Sequence, residues 1–271
     1  MTNESRWDRN RRHWQETLDA QNLAAAAQPL PIEKQIALYW TADVREALVA
    51  LEPLNGALTL DLGGGLGLMA AILARGGAEV VIADVSLPRL QEAHRMMEQL
   101  GLRDRVRLVC CAAEHMPFAD GAFDREFTKS VLIHTQLKET AAELNRTLSP
   151  SGRAVFIEPM DRNPFVNLYR RLAAPRIWQT ITDYFTPGML DTLSAPFRAS
   201  RGVETSYSFF MTFFATPFNY QLHWPAVYRF AEAAFLLLDR GLFALMPSLR
   251  GRCWFCLLKI TPAAPTSRPG N

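Results

Sequence analysis

The stretch LDLGGGLG, residues 60–67, sets one carboxylate, Asp61, directly ahead of four glycines, Gly63, Gly64, Gly65 and Gly67. Glycine removes the Cβ atoms that would keep a ligand away from the backbone, and a helix opening after such a turn offers unpaired N–H groups. Two ligand classes suit a strand, glycine turn and helix. A dinucleotide site wants GxGxxG or GxGxxA, which Gly65, Gly67 and Ala70 satisfy loosely. Asp61 tips the balance, because a carboxylate at the mouth of the turn repels a pyrophosphate and attracts an ammonium group. Asp84, at the end of the next apolar run, is placed to accept both hydroxyls of a ribose. An amine and a ribose without a phosphate describe S-adenosylmethionine (SAM). An NAD(P)-dependent oxidoreductase and a non-catalytic SAM-binding subunit remain as alternatives.

Other chemistry-bearing residues are scattered. His134 follows the fourth apolar run and is a candidate base. Glu158 ends the fifth and is a candidate catalytic or orienting carboxylate. Tyr39 and Trp40, ahead of the glycine turn, and Tyr184, after the sheet-forming runs, are candidate acceptor contacts. Cys253 and Cys256 have CxxC spacing, but residues three apart on a strand face opposite ways, so the pair reads as buried thiols. No set of acids, histidines and cysteines converges in the sequence, and no metal is expected.

Strands must carry these residues to one edge. Residues 57–62, 78–84, 105–111, 122–128 and 153–158 are short apolar runs. Helical patterns at 66–75, 87–100 and 135–148 separate them. This alternation predicts a parallel sheet with right-handed crossovers. Ahead of it, residues 5–22 and 33–51 read as helices. After it, residues 203–214 and 252–260 read as strands and 225–246 as a helix. The tail, 261–271, carries no core pattern.

Asp61-x-Gly63-x-Gly65-x-Gly67 resembles motif I of the class I SAM-dependent methyltransferases. The resemblance continues through VIADVS (81–86) and AAEHMPFADGAFD (112–124) to ELNRTLSPSGRAVFIEP (143–159). It is closest to the small-molecule branch that includes quinone-ring and sterol methyltransferases. It implies a single Rossmann-like α/β domain, with a mostly parallel seven-stranded sheet in the order 3-2-1-4-5-7-6 and helices on both faces. By position it implies that Asp61 and Gly63 to Gly67 hold the methionine moiety and that Asp84 and Val85 hold the ribose. Ala113 and Glu114 fall at the adenine edge, and Lys129 to His134 border methyl transfer. One departure is Ala112, where the branch has an Asp that accepts from the adenine amino group; Ser151, in the "PGG" turn, is milder.

The chain of 271 residues carries a net charge of +2, which advertises no nucleic-acid surface. A polar N-terminus and the lack of an uncharged apolar span point to a cytoplasmic protein. The expected division is an N-terminal helical cap (1–52), a SAM-binding core (53–160), a helical substrate-region insertion (161–202), strands and an apolar helix completing the sheet (203–260), and a disordered tail (261–271). Residues 159–250 are rich in aromatic and aliphatic side chains, which favours a small lipophilic acceptor and a pocket for it there. In 226–240 the polar residues Arg229, Glu232, Asp239 and Arg240 fall within one stripe, and Val227, Phe230, Leu237 and Leu238 cover much of the rest. That apolar face is assigned chiefly to the core and the pocket, with weak membrane contact as an addition.

Overall fold

The computed structural model describes residues 12–14, 30–174 and 181–263. Seven strands form one sheet: β1 Leu58–Leu62, β2 Glu79–Asp84, β3 Val106–Cys110, β4 Phe123–Lys129, β5 Leu148–Pro159, β6 Arg201–Ser208 and β7 Phe255–Pro262. Their order is β3-β2-β1-β4-β5-β7-β6. The first five in this order run parallel, and β7 runs antiparallel to both neighbours. This is the sheet that the motif resemblance implies.

The helices are α1 Ile32–Tyr39, α2 Ala42–Leu51, α3 Leu68–Arg75, α4 Leu87–Gln99, α5 Leu137–Thr147, α6 Pro164–Leu172, α7 Pro187–Arg198, α8 Thr216–Tyr220 and α9 Pro225–Leu245. Successive strand residues point to opposite faces. On one face Val80, Ile82 and Phe127 pack with Val44, Leu51, Met69 and Leu73 of α2 and α3. On the other, Leu60, Val81 and Phe156 pack with Leu144, Leu193 and Phe197 of α5 and α7.

Four expectations change. The helix expected over 33–51 is two helices, broken at Trp40 and Thr41, where Thr41 has extended backbone. The freed Ala42 N–H is taken by Glu232 Oε1 at 2.8 Å, so a distant carboxylate stabilises the break. The strand expected over 203–214 stops at Ser208, because Phe209 has a positive φ of 64° and turns the chain into a 3-10 segment, Thr212–Ala215. The final strand starts at Phe255, after Cys253, and runs to Pro262, so residues 261 and 262 belong to the sheet rather than a tail. Most of the helix expected at 5–22, and residues 264–271, lie outside the described residues, though 12–14 are helical.

The fourth change concerns α9. Its buried residues are Tyr228, Glu232 and Asp239, while Val227, Phe230, Leu237 and Leu238 face outward. The expectation that the apolar face serves the core is therefore reversed. The reason is that both acids have partners inside. Glu232 receives the Ala42 N–H, the Tyr228 hydroxyl and Arg45. Asp239 receives the N–H groups of Phe210, Met211 and Thr212 and the Thr212 hydroxyl.

Candidate functional site

The glycine turn leaves β1 with Gly63, Gly65 and Gly67 at φ values of 68°, 52° and 86°, a region that only glycine enters at little cost. The Gly63 N–H donates to Ala83 O at 2.6 Å, tying the turn to β2. A Cβ on Gly63 would strike the Val131 side chain, and one on Gly64 would lie 2.5 Å from Asp61 Oδ2. These two glycines are thus demanded by the protein's own packing, not only by a ligand's approach.

Asp61 lies beneath the turn, 2% exposed, and its Oδ2 has no hydrogen-bond partner. Burial, with the charge of nearby Asp84, pushes its carboxyl up to about 7. A cation at the turn would relieve that cost. Asp84 accepts from the Gly65 N–H at 3.0 Å and from the Ser86 N–H at 2.8 Å. Burial raises its pKa, while those bonds and Arg89 work the other way.

A cavity of about 500 Å³ opens at the C-terminal ends of β1, β2 and β4. Open α/β sheets place ligands at this edge, where the strand order reverses. Gly63, Asp84, Val85, Ala113 and Glu114 line it on one side, and Lys129 and His134 on the other. Asp61, Gly64, Gly65 and Gly67 are not part of the lining. Glu114 accepts the Gln136 N–H at 2.8 Å, which fixes its carboxylate near the start of α5.

The loop after β4 is held from below. Glu158 Oε1 accepts from the N–H groups of Val131 (3.1 Å) and Leu132 (3.0 Å), and Oε2 accepts from Ile133 (3.4 Å). Burial pushes this carboxyl up to about 8 against the pull of those bonds. Glu158 does not line the cavity, so it is a positioning residue and not a proton-transfer group. His134 does line it. Its Nδ1 lies 3.0 Å from Ile181 O, and its ring meets the edge of Trp14 at 5.0 Å.

Three expected acceptor contacts lie elsewhere. Tyr39 and Trp40 pack against the core, with Tyr39 beside Lys129 Nζ at 5.1 Å from its ring centroid. Tyr184 lies under the Arg170 guanidinium, 3.3 Å from centroid to carbon. No residue after Gln136 lines this cavity, though Ile181 O of the following segment meets the lining His134. Lys129 is committed to Asp43 (2.7 Å) and Thr41 (3.2 Å) as well as to the cavity wall.

Among the lining residues that the sequence did not single out are Arg89 and Trp14. Arg89 sits over Trp14 at 4.8 Å. Its signal was its place as the first cation after Asp84, in the first turn of α4. Trp14 lies in the stretch 5–22, which reads as a polar, Trp-marked helix of the N-terminal cap. Among the described residues no three His, Cys, Asp or Glu side chains gather as a metal site, and the four cysteines are free.

The sheet order and the cavity at its switch point define a class I methyltransferase fold. Residues 60–156 match the family described as "Methyltransferase domain". The chain is 40% identical over 100 residues to methyltransferase GfsG of Streptomyces halstedii, covering 36% of each. It is 34% identical over 140 residues to demethylmenaquinone methyltransferase of Clavibacter sepedonicus, covering 49% of this chain and 56% of that one. The alignments thus span about half the relatives' length or less. A solved geranyl diphosphate C-methyltransferase of Streptomyces coelicolor A3(2), 17% identical, superposes with a TM-score of 0.61 over 97% of this chain and 100% of that one. Over residues 60–156 the chain is thus similar to the methyltransferase-domain family, and its fold is that of solved methyltransferases.

Proposed function

We propose that this protein is a SAM-dependent methyltransferase acting on a small lipophilic acceptor such as a quinone, isoprenoid, lipid or natural product. The observation that carries the reading is the unpartnered, buried Asp61 oxygen beneath a glycine turn whose neighbour Asp84 faces a 500 Å³ cavity. A carboxylate so placed suits the SAM ammonium, and Asp84 suits the ribose hydroxyls. The turn suits the methionine chain, and the wall at Val85, Ala113 and Glu114 suits the adenosine, with Glu114 near the position where Ala112 offers no carboxylate.

Bound SAM supplies a methyl group already activated by its sulfonium. The chain's task is then to align a nucleophile in line with it. The Glu158-held loop positions His134 on the cavity wall. His134, on the cavity wall with Nδ1 3.0 Å from Ile181 O, is the side chain proposed to take a proton from an acceptor that must lose one. Trp14 and Arg89 line the same cavity.

The lipophilic acceptor draws support from relatives, which include menaquinone and ubiquinone methyltransferases. No helix among the described residues is long and apolar enough to cross a membrane. The reading includes a cytoplasmic location, no nucleic-acid partner and contact with a membrane surface. Calorimetry with SAM and with NADH tests the cofactor: SAM is expected to bind and NADH not. Formation of S-adenosylhomocysteine with prenylated quinones, beside matched phenols lacking the tail, tests the acceptor. Equal turnover without the tail would remove the lipophilic reading.

A further inference from the structure

Helix α9 has its polarity turned inside out. Glu232 and Asp239 are 1% and 2% exposed, while Phe230, Leu237 and Leu245 are 80%, 66% and 83% exposed. At 100° per residue, Phe230, Leu237, Leu238, Val227 and Leu245 share one outward arc. Both carboxylates clip the helix to the body through main-chain N–H groups of α2 and of the segment 210–212. The helix is thus held rigidly by polar contacts, and its apolar arc is left over. Isolated exposed leucines are ordinary, but a contiguous arc of this size marks an interaction surface.

Charge says what covers it. Arg229 and Arg240 flank the arc on one side, and Arg250 and Arg252 follow in the next turn; all four are exposed. Among the described residues none of them forms an ion pair with an acid. The only acids between residues 209 and 252 are Glu232 and Asp239, and both are buried. A second copy packed here about a two-fold axis would set arginines against arginines with no acid between them. An anionic surface has no such conflict. Exposed Trp224, the residue just before the helix, is of a type that settles at a membrane–water boundary.

We propose that the outward face of α9 is a docking surface for an anionic lipid bilayer, with the helix lying in the plane of the headgroups. This deepens the proposed function, since a lipophilic acceptor is found in such a bilayer, but lipid binding is measured without SAM or acceptor. The two readings can therefore fail separately.

The test is flotation of the full chain with vesicles of phosphatidylcholine alone and of phosphatidylcholine with phosphatidylglycerol. Binding is expected only to the anionic vesicles and should weaken with added salt. The double variant Phe230→Ser/Leu237→Ser is expected to lose partitioning by roughly tenfold or more while melting like the parent. The pair Arg229→Gln/Arg240→Gln should lose binding by several-fold and lose its salt dependence. Absence of binding to anionic vesicles at low salt would overturn the proposal. So would a stable dimer that the serine variant dissociates, which would assign the face to a second copy. Binding unaffected by either variant would place lipid contact elsewhere and overturn it too.

Discussion

At the scale of single residues, the proposed function divides the cofactor's recognition between Asp61 and Asp84. Asp84→Ala removes a charged acceptor already aimed at the cavity and is expected to weaken SAM by about 1.5–3 kcal/mol in calorimetry, with the fold intact. Asp61 titrates near 7. A cation binds its ionised form, so SAM affinity should rise between about pH 6 and 8, and Asp61→Asn should be weaker and flat over that range. Without ligand the sign is opposite. Asp61 and Glu158 both have folded pKa values raised by burial, to about 7 and about 8. Their protonated forms favour the native state, so stability is greatest below their unfolded pKa values and falls as pH rises toward 8. Denaturant titrations across pH should show that fall, and a smaller one in Glu158→Gln. The acid and the glycines were legible in the sequence because their spacing is a local pattern. That Glu158 serves a loop was not, because its partners are main-chain groups some 25 residues away.

At the scale of elements, local alternation sufficed for the five parallel strands, whose apolar runs sit between helical periods. It failed where a distant side chain decides. The break between α1 and α2 and the turn after β6 are each stabilised by a carboxylate from α9, and nothing near residues 40 or 210 announces that. Stripe analysis found the polar residues of α9 but took them for its solvated side. Glu232→Ala should therefore cost about 2–4 kcal/mol, since it leaves the Tyr228 hydroxyl and the Ala42 N–H buried without their acceptor. Chemical denaturation checks this; a loss below about 0.5 kcal/mol, ordinary for a surface site, would return the residue to the helix's wet face.

At the scale of the whole molecule, the N-terminal region and the sheet edge share the cavity. Trp14 touches both His134 and Arg89 across it, whereas Ile36 of α1 is buried in the core. Trp14→Ala is accordingly expected to lower turnover by roughly tenfold or more with a change in melting temperature of only a few degrees. Truncation through α1 should instead lower the melting temperature outright. Steady-state kinetics beside thermal melts separates the two. The inverted helix also bears on how the protein can be redesigned. Because carboxylates and not leucines fasten α9, its outer apolar residues can be exchanged for hydrophilic ones to suppress clumping in concentrated stocks, without loosening the fold. The same exchange made on the intuition that acids belong outside would remove the fasteners and keep the adhesive.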